Sequence, residues 1–133
     1  RKRRDTRKGT VWRANVKVRE KLVRRILATM FHEPFASFKP DWLRNPKTNR
    51  RLEIDCFSER LKLCVEVDGI HHHDSRSHYH KSHDEFLRLR WRDQLKTRLC
   101  AEHGYRLVRV PPSTVLPDAD LEVYLMTQLA RVL

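Results

Sequence analysis

The sequence predicts an α/β domain in which a small mixed sheet, an antiparallel hairpin plus one parallel strand, is flanked by helices. Three observations point there. Residues 51–68, RLEIDCFSERLKLCVEVD, alternate apolar and polar side chains with a period of two on either side of a polar turn. Apolar residues recur at steps of three and four both before and after that hairpin. A further apolar run, Tyr105 to Val110, follows the later helix. A helix joining two strands of one sheet implies that they run parallel, with a right-handed crossover.

At 133 residues the chain suits one domain with an ordinary core. Residues 1–10, RKRRDTRKGT, hold six basic side chains and one acid without periodicity. They read as a flexible basic arm, suited to phosphate contacts or nuclear localisation, ahead of a single domain over residues 11–133. From Val11 to Phe31 the pattern is helical. Trp12, Val16, Val23, Leu27 and Met30 form the apolar stripe, and Arg and Lys fill the opposite face. Glu20 lies inside that stripe and is the helix's only acid. A buried carboxylate needs a cation, a partner or a raised pKa, and Arg24 at i+4 is the competing partner.

Pro34 ends this helix, and Phe35 to Lys39 reads as a short strand. The following PDWLRNPKTNRR reads as a loop. With Lys39, Arg44, Lys47, Arg50 and Arg51 it presents a positive surface suited to phosphates.

Within the hairpin, Leu52, Ile54 and Cys56 share one face, and Glu53, Asp55 and Phe57 the other. On the second strand Leu61, Leu63, Val65 and Val67 oppose Lys62, Cys64, Glu66 and Asp68. With Ser58 to Leu61 as the turn, Asp55 lies opposite Cys64 and diagonal to Glu66. Alternation usually means a solvated face. Here, however, a chain with 29 Lys and Arg places several of its 17 acids on one hairpin face. Like charges that close need a cation or a shared proton, so a metal site is expected.

Ile70 to Ser82 contains His71, His72, His73, His78 and His80. Structural zinc would want cysteine pairs at fixed spacing, and no C-x-x-C occurs, which leaves an active-site histidine as the better reading. Ser82 to Glu85 is a capping box opening a helix that runs to about His103 and stops at Gly104. Leu87, Trp91, Leu95 and Leu99 form its packing stripe. Leu89, Asp93, Lys96 and Cys100 form a second, in which Asp93 and Lys96 are spaced for an ion pair. Tyr105 to Val110 is the next strand, ended by Pro111 and Pro112. A last helix is expected from Asp118, with Leu121, Leu125, Leu129 and Val132 inward.

The net charge of +12 favours polyanionic partners, nucleic acid before membrane. No apolar run approaches the ~18 residues of a membrane span. Three cysteines, Cys56, Cys64 and Cys100, read as small buried hydrophobes of a reducing, intracellular compartment.

Glu20, Asp55 and Glu66 together resemble the acids of the PD-(D/E)xK nuclease superfamily, the restriction-endonuclease-like fold, with a helix acid, an Asp on one strand and Glu-x-Lys on the next. The likeness is closer to very-short-patch-repair-like endonucleases and their bacterial and large-virus relatives. It rests on EVDGIHH from Glu66, RDQLKTRL from Arg92 and HGYRLVRVP from His103, and covers Glu20 to Pro111. The resemblance implies a metal-dependent endonuclease hydrolysing DNA, with RNA as another candidate, at a site of DNA metabolism such as the nucleus. It implies Mg²⁺, or Mn²⁺, held by Asp55, Glu66 and the Val67 carbonyl, and a catalytic set of Glu20, Asp55, Glu66, Asp68, His72 and Lys96. The sequence departs from the pattern at Asp68, which stands where the lysine is usual and cannot act as a cation. Lys96 is the candidate for a migrated lysine, and His72, with His71 beside it, for proton transfer. The departure sustains a rival reading, a nuclease-fold module that binds nucleic acid without cutting it. A histidine-rich, zinc-stabilised interaction domain is the third.

Overall fold

The computed structural model describes residues 7–69 and 83–133, with side chains from residue 16 onward. Helix α1, Arg7–Phe31, carries one acid and no proline, and it takes in residues 7–10 of the stretch expected to be an arm. Val23 and Leu27, one turn apart, are fully buried beneath it. His32, with φ of 55°, turns the chain out of the helix before Pro34. Strands β1 (Ala36–Phe38), β2 (Ile54–Ser58) and β3 (Leu63–Val67) follow, then α2 (His83–Glu102) and β4 (Arg106–Val110). The last helix, α3 (Leu121–Val132), is preceded by a tighter 3-10 turn at Asp118–Asp120, so its regular part begins three residues later than expected. Gly104, with φ of +78°, ends α2 as the sequence implied.

The four strands stand in the order β1-β2-β3-β4. The first three are antiparallel and β4 is parallel to β3. The protein is therefore a mixed α/β fold with a mixed sheet and helices on both faces. Residues of α1 and α3 pack on one face, against Cys56, Val65, Val67 and Val108. Residues of α2 and the chain around Leu43 cover the other, through Ile54, Cys64, Cys100 and Tyr105. All three cysteines are free and buried. Among the described residues no helix is long and apolar enough to cross a membrane.

Three expectations are corrected. The hairpin turns at Glu59 to Lys62, one residue later than expected, because Lys62 takes a left-handed φ of 53° and donates to the Glu59 carbonyl at 3.2 Å. The register consequently pairs Phe57 with Cys64, and its continuation sets Asp55 beside Glu66 rather than opposite Cys64. That slip of two residues preserves both faces, since side chains alternate with period two. Ile54, however, does not share the face of Cys56. Between Ala36↔Phe57 and Phe38↔Ile54, two steps along β1 match three along β2, and this bulge turns Ile54 and Leu52 toward α2. The stretch read as a loop holds no regular strand or helix, as expected, and closes into a tight ribbon. Arg44 bridges Arg51, Leu52 donates to Leu43 at 2.7 Å, and Asn49 holds the left-handed corner while Leu43 is fully buried. Lastly, Leu87 is half exposed, and the burial of α2 concentrates at Leu95 and Cys100.

Arg19 was expected on the solvated side of α1 and is instead buried. Its guanidinium pairs with Asp118 and donates to the carbonyls of Pro111 at 2.8 Å and Leu116 at 2.7 Å. This clasp joins α1 to the segment leading into α3, one residue from Glu20.

Candidate active site

Neighbouring strands carry the two central carboxylates. The Val67 amide donates to Asp55 Oδ2 at 2.8 Å, and the Asp55 amide lies 3.4 Å from Glu66 Oε2. Glu66 is almost wholly buried. Its counter-charge comes from α2, where Lys96 Nζ approaches Glu66 Oε1 at 2.6 Å and the Glu53 carbonyl at 2.7 Å. The local reason is one of packing. Cys100, one turn beyond Lys96, is buried in the same cluster as Cys64, two residues before Glu66, so anchoring that contact swings Lys96 over the next pair along the strand.

Glu20 enters from α1 and lines the same cavity, of about 300 Å³, with Asp55, Glu66, Asp68, Lys96 and Arg109. The competing Arg24 partnership is present but loose, at 3.9 Å, while Arg24 Nη1 also holds the Asp55 carbonyl at 3.1 Å. Asp93 does not pair with Lys96. It faces Arg109 of β4, which lies 3.6 Å from Asp93 Oδ1 and 3.2 Å from Asp68 Oδ1 and donates to the Asp93 carbonyl at 2.9 Å. Asp68 is thus a buried carboxyl bound to an arginine.

Of the residues expected to contact phosphate, Lys39, Lys47, Arg50 and Arg51 are exposed. Lys47 places its ammonium over the Trp91 ring at 4.6 Å, which ties the ribbon to α2. Arg44 is spent internally, on Asp41 and on the Asn49 carbonyl, and braces the ribbon instead of offering a free charge. His71, His72 and the rest of the histidine-rich stretch, with the Ser82 cap, lie outside the described residues. Sequence reasoning missed Arg109, Arg92, which also lines the carboxylate cavity, and the second contact of Arg24. For Arg109 a signal existed: placing the last strand in parallel register beside the hairpin pairs it with Glu66.

Burial, then a hydrogen bond to Glu66 and that group's repulsion, pushes the Asp55 carboxyl from its ordinary 3.8 up to about 9. Burial also raises Glu20, against the pull of Arg24. Two carboxylates this close require a proton or a cation. Among the described residues no three His, Cys, Asp or Glu side chains converge on one point. The two carboxylates are oxygen donors of the kind Mg²⁺ takes, with waters left to complete its shell. A linkage follows. The folded protein keeps a proton on Asp55 that the unfolded chain releases, so this stabilisation is full below about pH 4 and is lost as pH rises toward about 9. In EDTA, Asp55→Asn should therefore raise the thermal midpoint at pH 8, on the order of 5 °C, and flatten the pH dependence. Scanning calorimetry across that range checks this, and a lower midpoint would show that the two carboxylates do not share a proton.

No protein-family model matches the chain, and no solved structure matches it. It is similar to three viral proteins. Uncharacterized protein 033L of Invertebrate iridescent virus 3 is 40% identical over 101 residues, 76% of this chain and 52% of the relative. Uncharacterized protein 307L of Invertebrate iridescent virus 6 is 39% identical over 102 residues, 73% of this chain and 50% of the relative. Uncharacterized protein 094L of Frog virus 3 (isolate Goorha) is 35% identical over 92 residues, 68% of this chain and 57% of the relative. The chain spans about half the length of the curated relatives it matches.

Proposed function

We propose that this protein is a metal-dependent endonuclease that hydrolyses DNA phosphodiester bonds on a restriction-endonuclease-like fold. The observation that carries the reading is the meeting of Lys96 with Glu66, beside Asp55 and across one cavity from Glu20. A lysine delivered from a helix meets the strand acid that the Glu-x-Lys pattern would serve from the strand itself.

Asp55, Glu66 and the Val67 carbonyl would hold Mg²⁺, which when bound polarises the phosphate and acidifies water. Lys96 neutralises Glu66 beforehand and then faces the charge that develops on the phosphate. Glu20, its carboxyl raised by burial, takes the proton from the attacking water. Arg109, clasped by Asp68 and Asp93, keeps a fixed guanidinium on the cavity wall. The exposed cations of the ribbon hold the backbone on either side.

Incubation with supercoiled plasmid tests this directly. Nicked or linear product is expected with Mg²⁺ or Mn²⁺ and none with EDTA. Absence of cleavage with either metal would favour the second reading, a nucleic-acid-binding module, for which Asp68 in the lysine's place is the supporting observation. Binding itself should be dominated by phosphates. Affinity should fall steeply with salt, and the double substitution Lys47→Ala with Arg50→Ala should reduce the log–log salt slope by roughly one per residue. Fluorescence anisotropy across a salt series measures it, and an unchanged slope would remove the ribbon from the interface.

A further inference from the structure

A second cavity, of about 420 Å³, lies on the far side of Arg109. It shares Asp68, Asp93 and Arg109 with the carboxylate cavity, so the two adjoin along those side chains. Its other walls are Arg90, Gln94, Thr97 and Arg98, spaced three and four apart on one side of α2.

The composition of this cavity is particular. Three guanidinium groups line it beside two carboxylates; Arg98 also pairs with Glu102 at 3.7 Å, and both lining carboxylates contact Arg109, at 3.2 and 3.6 Å. That contact occupies part of a group with five donors and fixes its plane. Gln94 brings an amide donor and acceptor. Thr97 donates its hydroxyl hydrogen to the Asp93 carbonyl at 2.9 Å, which leaves its oxygen lone pairs as acceptors. The chemistry asked of an occupant is therefore an anion beside a group that both donates and accepts hydrogen bonds. The volume falls in the range of small-ligand sites, ample for one nucleotide.

We infer that this cavity seats one unpaired nucleotide of the strand being cut, with Arg109 holding the phosphate that passes between the two cavities. A base lodged between α2 and β4 cannot remain stacked and paired, because seating it means withdrawing it from the duplex. The substrate class is then DNA with an unpaired nucleotide next to the cut, a single strand or a tailed duplex, rather than an uninterrupted duplex. The inference rests on the nuclease reading for the cut, but not for the seat.

The test uses the full chain in EDTA, so that binding is read without cleavage. Anisotropy compares a short single strand, a blunt duplex and the same duplex carrying an unpaired tail, with 2-aminopurine placed in the single strand and in the tail. Two substitutions at exposed helix positions probe the seat without altering charge: Thr97→Phe, whose ring fills the cavity, and Gln94→Ala. Either should weaken the single strand and the tailed duplex about tenfold, leave the blunt duplex unchanged, and change the 2-aminopurine signal of the bound tail. Equal losses on all three DNAs, or no loss on any, would overturn the seat. Thermal midpoints confirm that the variants fold, and Gln94→Ala carries the test alone if Thr97→Phe does not. Failure of plasmid cleavage with Mg²⁺ would sink the nuclease reading while leaving these binding differences standing, so the two failures are separable.

Discussion

Asp55→Asn is expected to abolish cleavage of supercoiled plasmid while leaving DNA affinity intact. The change keeps the side chain's volume and its acceptor for the Val67 amide, at 2.8 Å in the native protein. What it removes is a ligand for the cation; in EDTA the native Asp55 carboxyl already holds its proton, so the charge facing the backbone phosphates does not change there. Cutting should therefore be lost while binding stays. A charge-neutral acid mutant that merely unfolds would lose both. Gel-shift affinity in EDTA and nicking in Mg²⁺, measured on one preparation, check the prediction. Full nicking by Asp55→Asn would move the metal role to Glu53, whose carbonyl already meets Lys96.

The second large effect concerns Lys96. Replacing it with Met keeps the stem and removes the ammonium, and single-turnover cleavage should fall by about two to four orders of magnitude, the range for losing one transition-state donor or proton carrier. Stability is also at stake, because Glu66 is buried and Lys96 is its counter-charge at 2.6 Å. Lys96→Met should therefore lower the thermal midpoint in EDTA, with Mg²⁺ restoring much of it, since an uncompensated buried carboxylate is costly. Asp93→Ala separates the roles, because Asp93 serves Arg109 and not Lys96. A destabilised Lys96→Met that cuts at the native rate would remove Lys96 from the chemistry and leave proton transfer to Glu20 and His72.

How far the sequence was legible depended on the range of the interaction that decides each feature. The helices around Val23 and Leu95 and the strands around Asp55, Glu66 and Val108 follow from local periodicity, because each has one side facing apolar neighbours. The shared face of Asp55 and Glu66 survived an error in register, since a slip by two residues returns every side chain to its side. The face of Ile54 did not survive, because it depends on a bulge created by pairing with β1, a strand too short to announce its register. The ribbon from Leu43 to Leu52 was hidden for a different reason. Its order comes from Asn45, Asn49 and Arg44 bonding to the backbone, and those residue types are equally at home in an irregular loop. Arg44 also shows the limit of reading charge as interface, since its guanidinium is consumed by its own neighbours.

Arg19 has a consequence for how the chain assembles. Its contacts reach across 92 to 99 residues of sequence, among the longest loops this chain can close. Closing such a loop contributes little until the sheet between its ends exists, so the contact belongs to the late steps of folding rather than to the nucleus. The turn of α1 that bears Glu20 and the segment from Pro111 to Asp118 then form one cooperative unit, protected or opened together. The first acid of the candidate site is thus secured by the end of the chain, and a cut or truncation near Asp118 would loosen Glu20 without touching any residue of the cavity.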